Sequence, residues 1–143
     1  MEEGGFTFEE CKHIVPLLEA AGVDAIEISG GSVSSRPREG VIRPIRRTKE
    51  PMYFLPYAKE VAELATVPVG VVGGFRSADH IEKAFSESGL AFVSMSRPFI
   101  REPQLIKRWS QGERDDATCI SCNRCNSGDD GSIQCIFNIP KEM

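Results

Sequence analysis

The sequence predicts an α/β fold built on parallel strands, and three observations lead there. Two short apolar runs rich in Val and Phe, Val67 to Phe75 and Ala91 to Ile100, read as buried strands, and each breaks off at small residues, Gly73-Gly74 in one and Ser96 in the other. Between them lies a helical stretch, Arg76 to Gly89, with Ser77 placed to cap its start and Gly89 to follow its end. Upstream, Val23 to Ser29 reads as another strand, again closed by glycines, Gly30-Gly31.

In chain order, Phe6 to about Ala21 is the first helix. Thr7 with Glu10 makes a capping-box pattern, and Ile14, Leu17, Leu18 and Ala21 recur at helical spacing. Pro16 removes one intrahelical hydrogen bond, so a kink or an offset between two halves is expected. Gly22 ends the helix, and the strand Val23 to Ser29 follows. Gly30-Gly31 is a plain turn or, given the repeat after the next strand, part of a site.

Ser32 to Pro51 shows no hydrophobic period and is punctuated by prolines and arginines; a loop of that length in a compact domain tends to be functional or mobile. Met52 to Ala65 reads as a second helix with Phe54, Ala58, Val61, Ala62 and Ala65 on one face and Tyr53 and Tyr57 as packing residues. After the last strand, Arg101 to Trp109 forms a final amphipathic helix, with Pro103 in its first turn, Gly112 past its end and Arg101 solvated. Helices alternating with strands in this way imply parallel pairing with right-handed crossovers.

The chain has 143 residues, consistent with one domain, and its 41% hydrophobic content suffices for a packed core. No apolar run approaches the roughly 20 residues that cross a bilayer, and Met1-Glu-Glu lacks the regions of a signal peptide. A cytoplasmic location and no membrane partner are expected. The net charge of −4 argues against nucleic acid, although Arg36, Arg38, Arg43, Arg46, Arg47 and Lys49 form a basic run that reads as a solvated loop. His13 and His80 fall on helices, where they are surface or packing residues. Cys11, on the first helix, reads as a buried apolar residue.

The remaining cysteines carry the strongest chemical signal. Cys119, Cys122, Cys125 and Cys135 supply four thiolates in a short polar segment, which suits a [4Fe–4S] cluster, a structural zinc, or reduced thiols in a frayed tail. A metal site fits four closely spaced cysteines in an intracellular chain better than a disulfide framework does.

With the strand pattern, Gly73-Gly74, the segment Met95-Ser-Arg-Pro-Phe-Ile-Arg-Glu-Pro103 and Cys119-Ile-Ser-Cys-Asn-Arg-Cys125 taken together, the chain resembles the C-terminal part of the Old Yellow Enzyme family. It is most similar to the NADH:flavin oxidoreductase branch that includes 2,4-dienoyl-CoA reductase and trimethylamine dehydrogenase. The resemblance implies a partial (β/α)8 TIM barrel, about its last three strand–helix units over residues 1–113, and a Cys-rich metal-binding segment over 114–143. A complete barrel needs on the order of 250 residues, so the missing N-terminal part of the barrel is an expected partner. Self-association through the strand edge at Val23 to Ser29 is also expected.

The resemblance further implies an FMN-dependent enzyme that passes hydride from NAD(P)H through flavin to a small-molecule substrate, an enoyl or similar electron-poor acceptor. It assigns Gly73, Gly74, Ser96 and Arg97 to the FMN phosphate and puts Ser29 and Gly30 near the flavin or substrate. An ion pair with Glu102 is the competing role for Arg97. The family often has glycine where this chain has Ser96, and its cluster motif resembles C-x2-C-x3-C with a longer gap to the fourth cysteine. The family's proton donor and substrate anchors lie on earlier strands, so no catalytic acid is assigned. Two other readings stay open: a non-catalytic half-barrel that binds a metal or a phosphate-bearing partner, and a different phosphate-binding barrel such as a synthase or isomerase.

Overall fold

A computed structural model describes residues 5–31, 51–125 and 132–139. The loop expected over Ser32 to Pro51, with its basic run, lies outside the described residues apart from Pro51. The elements are α1 (Phe8–Ala20), β1 (Ile26–Ile28), α2 (Leu55–Leu64), β2 (Val69–Val72), α3 (Ala78–Ser88), β3 (Phe92–Ser94), α4 (Arg97–Arg101) and α5 (Leu105–Ser110). The strands form one parallel sheet in the order β1-β2-β3. The fold is therefore α/β, as the alternating pattern requires.

Register explains why the strands read as they do. Ile26 lies beside Val69, Ile28 beside Val71, and Val71 in turn beside Val93, which sends these aliphatic side chains toward the helices. There they meet Val15 of α1, Ala58 and Val61 of α2, and Ala84 of α3 in one core. On the opposite face, Glu27, Gly70 and Phe92 stand abreast. A side chain at Gly70 would begin 2.1 Å from the Phe92 ring, so glycine is what lets Phe92 lie across β2. On the same face the Ser94 hydroxyl donates to the Glu27 carboxylate, bridging β3 to β1.

The helix termini follow local chemistry. Thr7 and Glu10 form the expected capping box, with the Thr7 amide donating to Glu10 at 2.7 Å and the Glu10 amide to Thr7 at 3.2 Å. The Thr7 amide and the Thr7 hydroxyl both donate to the Glu10 carboxylate, and together they hold it below its ordinary range. Helix α1 runs unbroken through Pro16. Gly89 ends α3 in the left-handed conformation. Ser77 occupies the N-cap of α3, but its side chain makes no capping hydrogen bond.

Three expectations are corrected. The buried stripe of α1 is Phe8, Cys11 and Val15, whereas Ile14, Leu17 and Leu18 point outward; Cys11 is half-buried, and that burial raises its thiol pKa. The last apolar run does not extend as strand to Ile100: β3 stops at Ser94, and α4 begins at Arg97 with Pro98 in its first turn. The single helix expected over Arg101 to Trp109 is two, since Pro103 separates α4 from α5.

A second, smaller core joins Ala78, Leu105, Trp109 and Ala117. It seats the segment that carries the cysteines. The Trp109 indole donates to the Asp115 carbonyl at 2.9 Å, and the Ala117 amide donates to the Arg76 carbonyl at 2.7 Å. Among the described residues no helix is long and apolar enough to cross a membrane.

Candidate functional site

The strands are parallel, so their C-terminal ends lie together, and a cavity of about 370 Å³ opens there. Each strand contributes: Ser29 after β1, Gly73 to Arg76 after β2, and Ser94 to Pro98 around the end of β3. Of the six residues nominated from sequence for a cofactor, Ser29, Gly73, Gly74, Ser96 and Arg97 line it. Gly30 is not among the lining residues; a Cβ there would sit 3.1 Å from the Phe54 ring, so its smallness serves packing.

Gly73 and Gly74 have φ of 109° and 87°, a region that L side chains rarely adopt. A Cβ on Gly73 would stand 2.7 Å from the Tyr53 ring, and one on Gly74 would stand 2.5 Å from the Met52 amide nitrogen. The pair is thus required twice, by its turn and by the entry of α2 that folds over it. Tyr53 and Phe54, edge-to-face at 4.7 Å, form the apolar wall. They pack, as their apolar setting suggested, and they also line the site.

Arg97 does not pair with Glu102. Its Nη1 donates to Asn123 Oδ1 at 2.5 Å, which ties the end of β3 to the cysteine segment. Glu102 instead receives the Thr118 amide at 2.6 Å and Arg108 Nη2 at 3.1 Å. Burial raises the Glu102 pKa, but the Thr118 hydrogen bonds and Arg108 outweigh that and leave it below the ordinary carboxylate range.

Arg76 is a site residue that sequence reasoning placed at the start of a helix. It lines the cavity and donates from Nη2 to the Ser121 hydroxyl. The available signal was positional: an arginine follows the glycine pair closely, as Arg97 follows Ser96. Arg101, expected to be solvated, donates to Asn138 Oδ1 and lies over the Phe137 ring, so it anchors residues 132–139. His13 and His80 are exposed on α1 and α3, away from the cavity lining.

A second cavity, about 20 Å³, adjoins the first and is lined by Cys119, Cys122, Cys125 and Cys135 together. Arg97, Ile100, Asn123 and Cys125 line both. Cys135 is buried, Cys119 and Cys125 are half-buried, Cys122 is exposed, and all are free thiols. The Gln134 amide donates to the Cys125 carbonyl at 2.9 Å, which brings the fourth cysteine back beside the first three. The donor set suits a thiophilic metal. As the chain stands, no three His, Cys, Asp or Glu side chains among the described residues converge as ligands of one metal ion.

No family model matches the chain. Among curated proteins it is 34% identical over 122 residues to an NADH oxidase of Thermoanaerobacter brockii, covering 85% of this chain and 18% of that protein. It is 30% identical over 147 residues to a bilirubin reductase of Clostridium symbiosum (strain WAL-14163), covering 96% of this chain and 38% of that one. An NADH-dependent flavin oxidoreductase of Neonectria sp. (strain DH2) is 34% identical over 110 residues, with 69% of this chain and 14% of the relative covered. The chain thus spans well under half the length of these relatives, and it is similar to one portion of a group of NADH-dependent flavin oxidoreductases and allied reductases.

Proposed function

We propose that this chain is the C-terminal part of a flavin-dependent (β/α)8 barrel, residues 1–113, with a metal-binding segment over 114–143. In this reading it belongs to a cytoplasmic enzyme. The observation that carries it is the cavity at the strand ends, where Gly73, Gly74, Ser96 and Arg97 converge. A guanidinium beside small residues fits a phosphate monoester, because its planar donors can meet two oxygens at once. The chemistry FMN supplies when bound is hydride acceptance from NADH or NADPH and delivery to an electron-poor alkene or similar acceptor.

This chain's own residues bind and orient. Arg97 neutralises the phosphate, Ser96 offers a hydroxyl donor, and the positive φ of Gly73 and Gly74 turns the backbone at the mouth of β2. Tyr53 and Phe54 exclude water from one wall. Cys119, Cys122, Cys125 and Cys135 are the proposed ligands of a [4Fe–4S] cluster or of zinc, reached by tightening of the segment around the cavity they already share.

The test is flavin binding by the full-length protein. A charge-assisted hydrogen bond is worth about 1.5–3 kcal/mol, so Arg97→Ala should weaken FMN roughly 10- to 100-fold. Riboflavin, which lacks the phosphate, should change little. Arg97→Lys should recover part of the loss, since it keeps the charge and drops the fork. Equal losses for FMN and riboflavin would remove Arg97 as the phosphate ligand.

A further inference from the structure

Two residues of the cysteine segment have left-handed backbones, Ser121 at φ 56° and Asn123 at φ 60°, and they flank Cys122. Each receives a hydrogen bond from an arginine that lines the larger cavity: Arg76 reaches Ser121, and Arg97 reaches Asn123. The two arginines come from the ends of adjacent strands, β2 and β3. The Nε and Nη1 of Arg76 are buried with no partner, so among the described residues the Ser121 hydroxyl is what orients that guanidinium. Asn123 faces both cavities.

We infer that Asn123, seconded by Ser121, is a positioning residue for anion binding in the larger cavity: the cysteine segment aims the arginines that receive the anion. An arginine side chain has many rotamers, and fixing it before the ligand arrives removes part of the entropic cost of binding. The acceptors on Asn123 and Ser121 hold their arginines without neutralising them, as a carboxylate would. Linkage makes the effect reciprocal, so an anion in the cavity steadies the cysteine segment by the same factor that the segment strengthens anion binding. The inference rests on the reading of this cavity as a phosphate site.

Asn123→Gly is the clean perturbation, because glycine keeps the left-handed backbone and removes only the acceptor. In the full-length protein, FMN affinity should fall on the order of 5- to 20-fold. Riboflavin affinity should stay within about twofold, a split that general loosening of the fold would not produce. Asn123→Asp should keep Arg97 in place but offset its charge with a carboxylate, again weakening FMN more than riboflavin. Equal changes for the two ligands, or none, would overturn the inference. A second arm uses inorganic phosphate and the melting temperature. If the protein binds no flavin, the flavin reading falls, yet phosphate should still raise the melting temperature of the wild type more than that of Asn123→Gly. An equal rise in both would overturn the positioning role.

Discussion

Glu102→Gln tests how the cysteine segment is pinned to the fold. The Glu102 carboxylate joins the end of α4 to the start of that segment, receiving the Thr118 amide at 2.6 Å and Arg108 Nη2 at 3.1 Å. The side chains of Arg108 and Glu102 are only 21% and 19% exposed, so removing one charge leaves the other shielded from water and costs more than the 0–1 kcal/mol of a solvated ion pair. Glutamine keeps the shape and one acceptor, but whichever way it sits its amide N–H2 faces a donor, the Thr118 amide or the Arg108 guanidinium. Among the described residues Arg108 Nε already lacks a partner, which leaves that side chain little room to compensate. The expected loss is about 1.5–3 kcal/mol, or roughly 10- to 100-fold faster hydrogen exchange at the Thr118 amide if opening is local.

The pH dependence has a defined sign. The folded-state pKa of Glu102 lies below its ordinary value. The stability it contributes is therefore present above the unfolded pKa of about 4.3 and is lost as pH falls through the folded value. The stability gap between wild type and Glu102→Gln, measured by denaturant unfolding of the full-length protein, should be flat from about pH 7 to 5 and shrink below about pH 4. Unchanged Thr118 exchange in the variant, or a gap that persists at low pH, would refute the assignment of this carboxylate as the pin.

Anaerobic reconstitution with iron and sulfide should give a brown protein, with the colour lost in Cys122→Ser and kept in Cys11→Ser, because Cys122 lines the thiol cavity and Cys11 packs on the core of α1. Stoichiometric zinc without iron uptake would instead make the segment a structural clasp. Gly74→Ala adds a Cβ 2.5 Å from the Met52 amide nitrogen on a backbone at φ 87°, whereas Gly89→Ala meets nothing within 4 Å. The first should cost more than about 2 kcal/mol and the second about 1, the left-handed penalty alone; equal losses in denaturant unfolding would mean that the α2 entry yields freely.

The sequence by itself determined the element order and the parallel sheet, because these are written in local periodicity. Short Val-rich runs bounded by glycine, such as Val69 to Val72, read as buried strands, and Thr7-x-x-Glu10 and Gly89 mark helix ends through contacts within a few residues. Five of the six residues that the family resemblance assigned to a cofactor line the cavity, and strand ends in a parallel sheet gather on one side. Tertiary structure decided the rest. Which face of α1 is buried depends on where β1 and α2 lie, so Val15 rather than Leu17 enters the core. The partners of Arg76 and Arg97 lie 45 and 26 residues away in the chain, a separation that no local pattern encodes. Folding of the cysteine segment against α5 and the turn between β2 and α3, through Trp109 and Ala117, is what brings Ser121 and Asn123 to those arginines and makes two cavities share a wall.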